Sequence, residues 1–118
     1  MNKVIMVGRL TKDVEFIQLE NSTRSVLKFV LAVNRRFSKK NGGKEADFIS
    51  IVYWSNYGDK IQPYLVKGRL IGVSGKITTR SYTGTDGLKK YITEVEADNI
   101  QFLENKKEDA VQYTESVM

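Results

Sequence analysis

Leu70-Ile-Gly-Val-Ser-Gly-Lys-Ile-Thr-Thr-Arg-Ser-Tyr82 reads as a half-buried strand, with Ile71, Val73 and Ile77 at the odd positions and Ser74, Lys76, Thr78, Arg80 and Tyr82 at the even ones. One face is core and the other is wet. Thr83-Gly-Thr-Asp-Gly87 supplies a turn with two glycines able to take positive φ, and a return strand opens at Lys89-Lys90-Tyr91 and alternates through Val95. Residues 70–103 are therefore one long hairpin whose outer face is basic and aromatic. That pairing of residue types suits a nucleic-acid single strand, because Lys and Arg meet phosphates while ring faces accept unstacked bases.

Working outward, strong periodicity recurs in four more stretches. A first strand over 3–10 is apolar on both faces, with Val4, Met6 and Leu10 on one and Ile5 and Val7 on the other. The second apolar face needs cover, which either a second copy of the chain or an intramolecular loop could provide. After the turn-rich Glu20-Asn-Ser-Thr23, a second strand over 26–35 aligns Leu27, Phe29, Leu31 and Val33. A third over 47–54 alternates Ile49, Ile51 and Tyr53 with Phe48, Ser50, Val52 and Trp54. If the isoleucines are core, Phe48 and Trp54 point outward, although large rings are more often buried. A helix is predicted over 56–67 from Ile61, Tyr64 and Leu65, with Asn56 as N-cap and Gly68 as its stop, and Pro63 should kink or split it. The order β, β, β, α, β, β in a domain of this size is that of an all-β, five-stranded Greek-key barrel of the OB type.

Composition narrows the chemistry. With 118 residues and 41% hydrophobic content there is room for one core. Residues 1–103 hold 17 of the 19 Lys and Arg but 10 of the 14 Asp and Glu, so the domain is more basic than the net +5 of the whole. Its partner should be anionic. The absence of Cys and His removes thiol nucleophiles, imidazole acid/base chemistry and Cys/His zinc sites, and no catalytic residue, metal or cofactor is expected. Val4-Ile-Met-Val7 is too short for a signal-peptide core or a membrane span, so a cytoplasmic protein without membrane attachment is expected. Residues 104–118 lack periodicity and are mostly polar, which predicts a flexible tail.

The loop joining the second and third strands, Arg35-Arg-Phe-Ser-Lys-Lys-Asn-Gly-Gly-Lys44, carries five cations and one ring before the first acid at Glu45. It sits beside the surface that an OB barrel presents to its ligand. Phe37, Phe48, Trp54 and Tyr82 then become candidate stacking platforms. Arg35, Arg36, Lys39, Lys40, Lys44, Lys76, Arg80, Lys89 and Lys90 become the phosphate contacts around them. Stacking needs a free base face, so single strands should be preferred over duplex, and neither stacking nor phosphate contact reads sequence. Glu94, Glu96 and Asp98 alternate on one face and raise the alternative of a metal-dependent nuclease, but two-metal cleavage needs convergent ligands and no second acidic cluster accompanies them. A further alternative is an OB interaction module for RNA or replication proteins.

Asn2-Lys-Val-Ile-Met-Val-Gly-Arg-Leu-Thr-Lys-Asp13, Phe29-Val-Leu-Ala-Val-Asn34, Thr79-Arg-Ser-Tyr82 and Tyr91-Ile-Thr-Glu-Val95 resemble, in order and spacing, segments of the bacterial and phage-type single-stranded DNA-binding proteins. The resemblance covers nearly all of 1–103. It implies an OB fold, non-enzymatic wrapping of single-stranded DNA in replication, recombination or repair, and a homotetramer assembled in part through the first strand, where Lys3, Ile5 and Val7 would lie. By position, Phe37, Phe48, Trp54 and Tyr82 fall where the family stacks bases, which favours the outward reading of Phe48 and Trp54. Val14 stands where the family commonly has Pro. The sequence closes on Tyr113-Thr-Glu-Ser-Val-Met118 and not on a long linker with an acidic tip, so recruitment of repair enzymes through such a tip is not expected. In this it resembles a short paralogue or one carried by a phage or mobile element.

Overall fold

Every core strand places branched or aromatic side chains on one face, and closing that face on itself is what generates the architecture. In the computed structural model, which describes residues 1–36 and 45–103, six strand segments run β1 (Val4–Leu10), β2 (Glu15–Gln18), β3 (Ser25–Asn34), β4 (Ala46–Ser55), β5 (Leu70–Thr83) and β6 (Lys89–Phe102). They pair in the order β1-β5-β6-β4-β3-β2, and a further β1–β3 contact closes the sheet into a barrel. The one parallel join, β4 to β6 at Ile51↔Val95, completes the Greek-key connection. β2 is not among the five predicted strands. It continues the path of β1 along β3, with Leu10 opposite Leu31 and then Glu15 opposite Lys28, so the two are halves of one interrupted strand and the five-strand order survives. Its polar surroundings and four-residue length left no period to read.

The inward faces meet in a core where Leu27, Leu31, Ile51, Leu65, Ile71 and Val73 are fully buried. Leu65 arrives from the connection between β4 and β5 and plugs one barrel end, where Ile61 and Tyr64 pack and Tyr64 meets Phe102 edge-on at 6.0 Å. That connection is shorter in helix than predicted. α1 spans Gly58–Ile61 and gives way to a 3-10 turn over Gln62–Tyr64, with Pro63 in its first turn. The ring of Pro63 cannot donate to the preceding turn, so the helix breaks there. Tyr57 and not Asn56 precedes it, without a side-chain cap.

The hairpin has the predicted extent, and Gly87 in its turn adopts a φ of 80°. Ile77 departs from expectation. It continues the inward face of Ile71 and Val73 but is 47% exposed, because it lies at the barrel rim: β4 pairs β6 no further out than Val95, the residue opposite Ile77, and from Thr78 onward the two strands project past the barrel as an arm. Just inside the rim, at Ser74/Gly75, the register slips by one residue, with Asp98 as the extra residue of β6. At this bulge Gly75 runs so close to β6 that a Cβ would overlap the Glu96 carbonyl oxygen and the Ala97 Cα. The expected tail over 104–118 lies outside the described residues.

Candidate nucleic-acid interface

The outer surface of the barrel is built by the same alternation that fills its core. With Ile49, Ile51 and Tyr53 turned inward, Phe48, Ser50, Val52 and Trp54 of β4 face out. Phe48 is 69% exposed and Trp54 37% exposed, which resolves the alternative left open by their size. Register aligns one tier across four strands: Lys28 of β3 beside Val52 of β4, beside Glu96 of β6, beside Lys76 of β5. Further along the arm, Thr78 opposes Glu94, Arg80 opposes Ile92 and Tyr82 opposes Lys90.

Two adjoining clefts follow this surface. One of about 330 Å³ is lined by Trp54, Lys28, Thr78, Arg80, Glu94 and Glu96. The other, about 230 Å³, shares Lys28, Arg80 and Glu94 and extends to Lys12, Asp13 and Ser50. Together they form a shallow groove with an indole at one end and lysines along it. Arg24 lies over the Trp54 ring at 4.8 Å from its centroid and covers part of that face.

Several predicted phosphate contacts carry a carboxylate partner. Arg80 Nε donates to Glu94 Oε1 at 3.2 Å, Lys76 lies 3.7 Å from Glu96 and Lys90 lies 3.6 Å from Asp86. Arg35 donates to Asp47 at 2.9 Å and to Glu45 at 3.0 Å. The hydrogen bond and charge of Asp47, with the charge of Glu45, raise the Arg35 guanidinium further above its ordinary value, so it stays cationic. The lysine pairs are solvent-exposed, contribute little stability and exchange readily, whereas Glu94, its side chain 15% exposed, is the sheltered partner of Arg80. They hold long side chains near the groove without committing them. Glu94 and Glu96, paired with Arg80 and Lys76, and Asp98, which accepts from Ser74 at 2.8 Å, are thus all engaged by neighbours. Among the described residues, no group of three His, Cys, Asp or Glu is placed to hold a metal ion, and no helix is long and apolar enough to cross a membrane.

The remaining candidates divide. Tyr82 is 47% exposed on the groove face of the arm, Arg36 is exposed just beyond β3, and Lys90 shares the face of Tyr82. Lys89, one residue before, falls on the opposite face with Tyr91. Phe37, Lys39, Lys40 and Lys44 lie outside the described residues. Of the first strand, Ile5 and Val7 are 75% and 50% exposed, and Lys3 lies 3.9 Å from Asp98. β5 flanks β1 along Val4–Arg9, while β3 joins it only at Arg9 and Leu10, so among the described residues the other edge of β1 is open.

Three basic residues missed in the sequence also border the groove. Lys28 occupies an outward position between Leu27 and Phe29, a signal present in the alternation of β3. Arg24 and Lys12 are brought in by loops, and no local pattern marks them. Among the described residues Lys28 makes no direct ion pair, although Glu15 stands opposite it on β2. Replacing it with alanine is expected to reduce the slope of log affinity against log salt for a single strand by about 0.7, measured by titration at several ionic strengths.

Comparison with known proteins points one way. The family model described as "Single-strand binding protein family" matches residues 1–103. Single-stranded DNA-binding protein 2 of Clostridium acetobutylicum is 48% identical over 112 residues, covering 95% of this chain and 84% of its own length. The Clostridium tetani single-stranded DNA-binding protein is 51% identical over 104 residues, covering 88% of this chain and 71% of its own length. Single-stranded DNA-binding protein 1 of C. acetobutylicum is 44% identical over 108 residues, 92% of this chain and 98% of the relative.

Proposed function

We propose, for a chain that belongs to the single-strand binding protein family, that it is a non-enzymatic coat for single-stranded DNA, largely indifferent to sequence, acting in replication, recombination or repair in the cytoplasm. The observation that carries this is the outward display of Phe48, Trp54 and Tyr82 along a surface bordered by Lys28, Lys76, Arg80 and Lys90. Unpaired bases stack on the rings, and phosphates exchange with the carboxylates that the cations hold at rest. Duplex offers no free base face and binds by charge alone. Phe37, Arg35, Arg36, Lys39, Lys40 and Lys44 extend the same chemistry through the loop between β3 and β4, where Arg35 is paired with both Asp47 and Glu45.

Assembly follows from β1. An open strand edge beside exposed Ile5 and Val7 suits pairing with the same strand of a second copy, and a homotetramer built from such pairs covers this apolar face.

Trp54 is the only tryptophan, so its emission reports the groove directly. Titration with oligo(dT) is expected to quench it, with an affinity that falls as salt rises and with poor competition from duplex. Sedimentation of the same samples is expected to give a species heavier than one chain. An unchanged emission spectrum, together with no salt-sensitive association, would reject the reading.

A further inference from the structure

We propose that the back of the β5–β6 arm is a second contact surface for the same DNA strand, with the Tyr91 ring as a stacking platform and Lys89 as its phosphate contact. The proposal rests on the groove reading above and extends it to a face that reading does not use. Alternation along the return strand sends Lys90 toward Tyr82 and the groove, and Lys89 and Tyr91 to the other side, where they oppose Thr83 and Ser81. Tyr91 is 72% exposed, more open than Phe48, Trp54 or Tyr82. The Lys89 ammonium lies 5.7 Å from its ring centroid, so cation and π-face are held together as one unit.

The electrostatics of the two faces differ. On the groove side β6 carries Glu94 and Glu96, and Arg80 and Lys76 arrive already engaged by them. Among the described residues of the arm, the back presents Thr79, Ser81 and Thr93 hydroxyls between Ile77 and Tyr91, with Lys89 as its charge and no carboxylate. Hydroxyls donate to phosphate and sugar oxygens, and a lone ammonium without a competing acid favours an anion. A folded protein partner would match a larger apolar patch. An extended chain of alternating rings and charges matches this one. The arm is a two-stranded ribbon free of the barrel, so a strand leaving Tyr82 near the tip can turn round it to reach Tyr91.

The test compares a short oligo(dT) of roughly eight nucleotides, within the ~4–16 covered by one OB fold, with one of roughly 60 that can follow both faces. Tyr91→Ala is expected to leave Trp54 quenching by the short strand at its wild-type affinity. It should weaken binding of the long strand roughly thirtyfold, near the middle of the range for losing one stacked base, and shorten the length occluded per assembly. Tyr91→Phe should restore both, and Lys89→Gln should lower only the long strand's salt slope. Wild-type affinity and occluded length for the long strand in Tyr91→Ala would overturn the proposal, as would a change in sedimentation alone, which would make this face a contact between copies. Failure of the groove reading is distinguishable, since wild-type protein would then show no quenching with either strand.

Discussion

Truncating Trp54 to alanine is expected to weaken oligo(dT) binding at every salt concentration by about 5- to 150-fold, the equivalent of ~1 to 3 kcal/mol for one lost stacking platform. Because the substitution removes the fluorophore, fluorescence anisotropy of a labelled strand is the measurement. The indole is partly exposed and its inward neighbours on β4, Ile51 and Tyr53, are untouched, so thermal unfolding should barely move. Phe48→Ala, nearer the start of β4 and still more exposed, should behave alike. Both together should approach the product of the two losses if each ring takes its own base. A salt-dependent defect, vanishing at high ionic strength, would assign Trp54 to electrostatic positioning through Arg24 in place of stacking.

Gly75→Val should be the most damaging single change to the fold, lowering unfolding free energy by about 3 kcal/mol or abolishing the folded state. The glycine lies at the bulge just inside the barrel rim, and a side chain there is driven into the Glu96 carbonyl and the Ala97 backbone. Neither can yield without parting β5 from β6 at their bulge. Gly84→Ala provides the contrast, because a Cβ there meets the Asp86 carboxylate and the Lys90 Cε at 2.9 Å, both ends of flexible side chains. It should change stability by no more than ~0.5 kcal/mol. Urea denaturation of the two variants separates them, and equal midpoints would show that the bulge can widen.

Much of this molecule was legible where a period was long. Alternation gave the hairpin over 70–103, the inward rows of β3 and β4 and the outward Ile5 and Val7, and the order of elements gave the barrel. The failures share a cause in that each depends on contacts distant in sequence. Ile77 has a core residue's pattern, but where the barrel ends is decided by the length of the other strands. Arg80 and Lys76 look like free cations until register sets them beside Glu94 and Glu96, 14 and 20 positions on. Arg24 gives no sign of Trp54, 30 residues away, and β2 is a strand only because β3 offers it an edge. The opposite faces of Lys89 and Lys90 were within reach of the same alternation and follow from adjacency alone.

The internal pairs Arg80–Glu94 and Lys76–Glu96 alter what ionic strength can reveal about this protein. When a phosphate takes over a guanidinium that a glutamate was holding, one fixed anion replaces another and fewer mobile ions leave the nucleic acid and protein together. Contact stoichiometry inferred from ion release will therefore fall short of the number of backbone linkages the bound strand actually touches.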